Sequence, residues 1–289
     1  MDRRRFLASG ALLALAPSLG SIARGAPQQA GVPATPRKGR INHSVCRWCY
    51  GGMKLEELCK NAVAMGISSI EILDRTEDWE TIKKYGLVCA MATGSSGIPD
   101  GWNRKERHEE LVKHSLEWMP KAAAAGSPNW IVFSGNSGGQ SDTEGIENCA
   151  AGLRQLAPLA EKLGINVALE YLNSKHDHGD YAFDNMRYGV EVVQKVASPR
   201  VKILYDIYHA QIMEGDVIQT IRDHHDSICH YHTGGVPGRN EIDATQELNY
   251  TAVCRAIAET GFTGYVAQEF VPRRDPMTSL REAIDICDV

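Results

Sequence analysis

A chain of 289 residues, 43% apolar and 23% charged, has an ordinary globular make-up and the length for one large core, which excludes a disordered or fibrous protein. Its 36 acidic and 31 basic residues give a formal net charge of -5. No long basic run follows the N-terminus, so the electrostatic footprint of a nucleic-acid binder is missing.

The N-terminus reads Asp2-Arg3-Arg4-Arg5-Phe6-Leu7, then a small and apolar run from Ala8 to Leu19, then an exit at Ser21-Ile22-Ala23 or Gly25-Ala26. This pattern predicts a twin-arginine signal peptide over residues 1–26 and export to the periplasm or cell envelope. The apolar run is interrupted by Ser9, Gly10 and Pro17. At about a dozen residues it falls short of the roughly 20 that a spanning helix needs, so no membrane span is expected after cleavage. Residues 27–39, rich in Pro, Gly, Gln and Ala, predict a linker.

From residue 40 onward β-rich runs alternate with helical periodicity without a break, which predicts one domain over 40–289. Strands are expected at 41–46, 69–73, 87–91, 130–134, 166–170, 201–206, 228–232 and 265–269. Between them helices are expected at 54–64, 78–85, 104–125, 142–163, 185–197, 215–224, 250–260 and 277–287. Gly66, Gly86, Gly126, Gly164 and Gly261 each stand shortly before a strand, as left-handed helix stops do. The strands are nearly all apolar, the pattern of a parallel sheet covered on both faces. Eight such units fit an α/β protein built as a single (β/α)₈ TIM barrel. The open-sheet alternative loses its main motif, because no Gly-x-Gly-x-x-Gly follows the first strand.

Eight cysteines are present. Cys46-x-x-Cys49 is the local candidate for pairing in an oxidising compartment, but it has no second pair to complete a zinc site, and buried unpaired thiols are expected for most of the eight. The glycine-rich stretches Gly94-Ser95-Ser96-Gly97 and Ser134-Gly135-Asn136-Ser137-Gly138-Gly139 lack the lysine and spacing of a phosphate loop, and read as rim loops.

In a barrel the reacting groups sit at the carboxyl ends of strands. The last four predicted strands end in Glu170, Asp206, His232 and Glu269, at spacings of 36, 26 and 37 residues, each about one βα unit. All four therefore converge on one rim. Carboxylates crowded there repel one another unless a cation lies between them. Three carboxylates and an imidazole suit Mn²⁺ or Mg²⁺, with Zn²⁺ or Co²⁺ as further options.

Two longer motifs add to this. Tyr205-Asp206-Ile207-Tyr208-His209-Ala210-Gln211-Ile212-Met213-Glu214-Gly215-Asp216 continues through Val236-Pro237-Gly238-Arg239-Asn240-Glu241 to Glu247-Leu248-Asn249-Tyr250. On these residues the chain, from about 40 to 275, resembles the xylose-isomerase-like barrel superfamily and within it hydroxypyruvate isomerase. Glu170-Tyr171-Leu172-Asn173 and His230-Tyr231-His232-Thr233-Gly234 are also similar to ketose 3-epimerases. The resemblance implies that Glu170 and Glu269 both touch a divalent metal and exchange a proton with an α-hydroxy carbonyl substrate. It further implies substrate contacts from His209 and Arg239, and one at the position of His176, where related epimerases carry an acidic residue.

The chain departs from hydroxypyruvate isomerases in two places. They carry a glutamine where His232 stands, and a glycine where Gln246 precedes Glu247. The expected substrate is a small keto acid, hydroxypyruvate first, or a free or oxidised sugar. Isomerase, epimerase and lyase chemistry all begin from the same enediolate. The other function classes are a nuclease of the apurinic-endonuclease type, which the acidic balance disfavours, and a non-catalytic sugar-binding envelope protein. A homo-oligomer is compatible with all of these.

Overall fold

Short apolar runs closed by polar residues form seven parallel strands in the computed structural model, which describes residues 36–93 and 97–289. They are β1 (Asn42–Cys46), β2 (Ser69–Glu71), β3 (Asn129–Val132), β4 (Asn166–Glu170), β5 (Val201–Asp206), β6 (Ile228–Thr233) and β7 (Tyr265–Gln268). The order across the sheet is β2-β1-β7-β6-β5-β4-β3, so that sequential strands are neighbours from β3 to β7 and the first joins the last. The connections carry helices, as parallel pairing requires: α1 (Leu55–Ala64), α2 (Thr76–Lys83), α3 (His108–Ala124), α4 (Asp142–Leu153), α5 (Ala157–Leu163), α6 (Met186–Val196), α7 (Ile207–Met213), α8 (Val217–His224), α9 (Tyr250–Glu259) and α10 (Pro276–Cys287).

The sheet is of TIM-barrel type, but among the described residues it has seven strands where eight were expected. The segment predicted as the third strand, 87–91, instead joins the two edge strands through isolated parallel bridges: Ser69 with Val88, Leu73 with Ala92, and Ala92 with Trp130. Side chains interrupt its ladder. The Ser69 hydroxyl accepts the Ala90 N–H at 3.0 Å, and the Asn129 amide donates to the Ala90 carbonyl at 2.8 Å, so both backbone groups of Ala90 are taken by side chains. Ile72, at φ 58°, also turns the chain out of the extended conformation just past β2.

One predicted helix is divided, and one observed helix lies outside every predicted one. The stretch 142–163 breaks into α4 and α5, with Pro158 in the first turn of the second, where its missing N–H costs no hydrogen bond. The predicted helix at 215–224 becomes α8 and is preceded by α7, which starts directly after β5 because Asp206 caps it. The five predicted helix-stop glycines do adopt left-handed φ, from 71° at Gly164 to 92° at Gly126.

Alternation along the strands divides the core in two. Outward residues such as Leu169, Tyr205 and Tyr231 pack under the helices. Inward residues form a separate apolar layer of Met91, Ile131, Ala168 and Leu204. Two positions further along β4 and β5 from Ala168 and Leu204 come Glu170 and Asp206, so the site lies directly above that layer.

The expected signal peptide lies outside the described residues. Of the expected linker only 36–39 is described, and its last residues are tied down: Arg37 Nε donates to the Met65 carbonyl at 2.7 Å and the Lys38 N–H to Asp288 Oδ1 at 2.9 Å. No described helix is long and apolar enough to cross a membrane. All eight cysteines are free thiols, so Cys46 and Cys49 are not joined.

Candidate active site

Inward alternation brings Glu170, Asp206, His232 and Glu269 to one place at the ends of β4 to β7. Asp206 stands opposite His232 in the β5–β6 register, and the Glu269 N–H continues the ladder by bonding the Thr233 carbonyl at 3.1 Å. Each of the four offers a ligand atom lying within 4.8 Å of the other three, and all are buried. His232 Nδ1 lies 2.8 Å from Glu269 Oε2 and 3.4 Å from Glu170 Oε1. That buried nitrogen has no hydrogen-bond partner of acceptable geometry.

The other side of each residue is anchored. Asp206 Oδ1 caps α7 by accepting the N–H groups of Tyr208 (2.9 Å) and His209 (3.3 Å), which leaves Oδ2 for the site. His232 Nε2 bonds Glu71 Oε1 at 2.9 Å, and His230 Nε2 bonds the same oxygen at 2.8 Å. Glu269 Oε1 accepts from the Trp48 indole at 2.8 Å.

Arg239 enters from the loop after β6. Its Nη2 lies 2.6 Å from Glu269 Oε2 and 3.1 Å from Asp206 Oδ2, and the guanidinium carbon lies over both the Trp48 ring, at 5.3 Å, and the Tyr208 ring, at 5.2 Å. Its backbone is left-handed, φ 56°, a conformation that costs a non-glycine residue of order 1–3 kcal/mol and persists where the surroundings impose it.

His209 is fully buried. Its Nδ1 accepts the Asn173 backbone N–H at 3.1 Å and side-chain amide at 2.6 Å, so the ring proton belongs on Nε2. Nε2 points at Asp206 Oδ2 from 3.5 Å without a hydrogen bond. Burial, and then Arg239, keep this imidazole well below its usual pKa, hence neutral. His176 is not in this group. It is exposed, and its backbone N–H binds Asn173 Oδ1 at 2.9 Å. The histidine facing His209 from that loop is His178, with ring centroids 5.3 Å apart.

Three crowded carboxyl groups disturb one another. Burial raises Asp206 to about 8, with Arg239 opposing and Glu269 adding to the rise. Burial also raises Glu170. Glu269 resists burial because His232 and Arg239 hold it well below the usual carboxylate range. Burial would lower His232, but Glu269 and Cys46 lift it well above its usual value. Deeper in, burial opposes ionisation of Glu71, yet the two imidazoles on Oε1 bring it down to about 2.

These residues fit a divalent metal ion. Nδ1 of His232 is a buried nitrogen lacking a partner, and the other donors are carboxylate oxygens, a set that suits a hard or borderline cation. With the three carboxyl groups ionised and His232 neutral, the state that a bound cation requires, the set together with the Arg239 guanidinium carries two negative charges, the amount one divalent cation neutralises.

Three contributors are poorly marked in sequence. Glu71 falls in the middle of the strand expected at 69–73, whereas the observed strand is only three residues long and stops at Glu71. Trp48 and His178 have no motif at all and are brought in by loops. The glycine-rich loop 134–139 turns out to be closed to anions: Asp180 takes the Ser137 hydroxyl on Oδ1 and the Gly138 N–H, at 2.8 Å, on Oδ2. Residues 94–96 of the other glycine-rich loop lie outside the described residues.

Comparison with known proteins agrees with this architecture. The family model described as Xylose isomerase-like TIM barrel matches residues 59–288. A Mus musculus protein provisionally named hydroxypyruvate isomerase is 29% identical over 49% of this chain and 50% of its own length. The chain thus spans about half the length of that relative. The 2-oxo-tetronate isomerase of Pectobacterium atrosepticum is 28% identical over 65% of this chain and 69% of its own. Among solved structures, AP endonuclease, family 2, from Brucella melitensis superposes with a TM-score of 0.72 at 23% identity, covering 85% of this chain and 97% of its own. The 3-keto-D-glucoside 4-epimerase of E. coli gives 0.71 at 21% identity, over 85% and 98%. At such identities the structural likeness establishes the fold alone. The strand order, the helix-bearing connections and a family match covering most of the sequence together show that this chain belongs to the xylose isomerase-like TIM barrel family.

Proposed function

We propose that the chain is a divalent-metal-dependent isomerase that interconverts an α-hydroxy ketone and its aldehyde isomer, with hydroxypyruvate and tartronate semialdehyde as the first pair to test. The observation that carries this reading is the meeting of Glu170, Asp206, His232 and Glu269 within 4.8 Å, all buried, at the ends of successive strands. The names of the sequence relatives, hydroxypyruvate isomerase and 2-oxo-tetronate isomerase, support it.

Glu170, Asp206, His232 and Glu269 would hold the ion, Mn²⁺ or Mg²⁺ by donor type. When bound, the cation supplies electrostatic stabilisation of the negative charge that builds on the substrate oxygens as a C–H bond breaks. Glu170 and Glu269 reach the centre from the ends of β4 and β7, which have β5 and β6 between them, on either side of His232. One takes a proton from C3 of hydroxypyruvate and the other returns one to C2. The hydroxyl proton passes from O3 to O2, so the formula is unchanged. His209, neutral and with its Nε2–H lacking a partner, donates to a substrate oxygen. Arg239 fixes Glu269 and faces the substrate carboxylate.

A second reading, a ketose 3-epimerase, is favoured by one residue: His232 stands where hydroxypyruvate isomerases carry glutamine. The same two carboxylates would then remove and return a proton at a single carbon from opposite faces. A panel of hydroxypyruvate, free ketoses and oxidised sugars with Mn²⁺ separates the two. Conversion of hydroxypyruvate that chelation abolishes, and that Glu269→Gln loses, supports the isomerase. Equal activity in all samples rejects the mechanism. The Arg3-Arg4-Arg5 segment supports export as part of the same proposal, and an envelope fraction free of this protein would refute that part.

A further inference from the structure

His232 has two ring nitrogens and only one of them faces the carboxylate cluster. What decides which nitrogen is free to act there lies on its other side, in a group fully buried beneath the site. Glu71 ends β2, across the sheet from β6, and is 0% exposed. Its Oε1 receives both His232 Nε2, at 2.9 Å, and His230 Nε2, at 2.8 Å, while Oε2 receives the Ser44 hydroxyl. Ser44 is itself held by the Ser69 hydroxyl at 2.8 Å. The two imidazole planes meet on that oxygen at 84°, which leaves the carboxylate no freedom to rotate without losing one of them. An ionised carboxylate has no proton to give, so each imidazole must donate.

We propose that Glu71 is a positioning residue that holds His232 as the tautomer protonated on Nε2, so that Nδ1 presents its lone pair to the ion shared with Glu170, Asp206 and Glu269. This rests on the reading that those four residues bind a divalent cation. A carboxylate behind a metal-binding imidazole fixes the ring plane and raises the basicity of the coordinating nitrogen. Here a second histidine and a serine fix the carboxylate in turn. His230 packs edge-on against the His232 ring but is not among the four cluster residues, and its Nδ1 is buried without a partner, so its one side-chain hydrogen bond serves to hold Glu71.

The same buried group admits a rival arrangement, in which Cys46, Glu71 and His232 Nε2 bind a second ion. The thiol lies 3.9 Å from both Glu71 Oε1 and His232 Nε2. A nitrogen cannot both coordinate an ion and carry the proton that Glu71 accepts, so one spectrum separates the arrangements.

The test uses the whole wild-type chain, ¹⁵N-labelled at histidine and loaded with Zn²⁺ as a diamagnetic probe. Long-range ¹H–¹⁵N correlation should show the His232 proton on Nε2 and none on Nδ1, with the His230 signals identified by their loss in His230→Gln. Mn²⁺ titrations then compare wild type, Glu71→Gln and Ser44→Ala. Glu71→Gln should weaken the Mn²⁺ dissociation constant by about 10- to 100-fold, and Ser44→Ala by less in the same direction. If Glu71→Gln does not fold, the wild-type spectrum and Ser44→Ala decide. An unprotonated Nε2, two Mn²⁺ ions per chain, or unchanged affinity in a folded Glu71→Gln overturns the proposal while leaving the four-residue site intact. A wild type that binds no Mn²⁺ overturns both.

Discussion

Trp48 and Glu269 meet across the mouth of the sheet, the indole Nε1 donating a 2.8 Å hydrogen bond to carboxylate Oε1. The other carboxylate oxygen is taken by Arg239 at 2.6 Å. Arg239 in turn lies over the Trp48 ring. Trp48 is 45% exposed and would pass for a surface residue, yet its indole N–H holds one oxygen of the buried Glu269 carboxylate.

Replacing Trp48 by Phe keeps a ring beside Arg239 and removes only the N–H. A hydrogen bond to a charged group is worth about 1.5–3 kcal/mol, so kcat/KM should fall by roughly 10- to 100-fold with little change in melting temperature. Steady-state kinetics on the metal-loaded enzyme checks this. Unchanged kcat/KM would mean that the contact has no part in orienting Glu269.

Glu170→Gln and Glu269→Gln each remove a proposed proton carrier without removing its volume. Each should lower kcat by about 10²- to 10⁴-fold. Exchange of substrate C–H hydrogen with deuterium from solvent, followed by NMR, should be lost in the variant lacking the abstracting base. Full exchange in both variants would place the base elsewhere.

Arg239→Ala removes the guanidinium beside Glu269. If the arginine faces an acid group of the substrate, KM for hydroxypyruvate should rise by roughly 10-fold, about 1.4 kcal/mol, more than for a neutral ketose. Equal effects on both would confine Arg239 to holding Glu269 and Asp206.

Much of this was legible in the sequence, because apolar runs and strand-end polar residues are local signals. The runs at 166–170 and 201–206 are β4 and β5 as observed, and the four residues closing the last predicted strands do converge. The strand expected at 87–91 was not legible, because Ser69 and Asn129 from other segments take the backbone groups of Ala90. Helix α7 is not legible either, since its signal is a single capping residue, Asp206, which also ends a strand. Glu71, Trp48 and His178 join the site only through tertiary packing: no spacing in the chain relates Glu71 to His232, 161 residues away. His176 illustrates the converse. Its place in the motif suggested a contact, but the loop turns it to solvent and turns His178 inward.

Stability should depend on pH through His43, far from the reacting groups on the helix-facing side of β1. This imidazole is 1% exposed with neither nitrogen hydrogen-bonded. Burial lowers it to about 4, although Asp288 opposes the shift. Between the unfolded value near 6.5 and about 4 the unfolded chain binds a proton that the native state does not, so stability rises with pH across that window. The contribution is complete above 6.5 and lost as pH falls to about 4, amounting to up to roughly 3 kcal/mol. Urea unfolding of wild type and His43→Leu from pH 7 to 4 should show the wild type losing more stability. Parallel curves would assign the loss to other groups.

The most direct test of the central claim is anomalous diffraction from crystals grown with Mn²⁺. The account predicts one anomalous peak in each chain, ringed by Glu170, Asp206, His232 Nδ1 and Glu269. A crystal that holds no Mn²⁺ among these four residues, or holds it elsewhere, would contradict it.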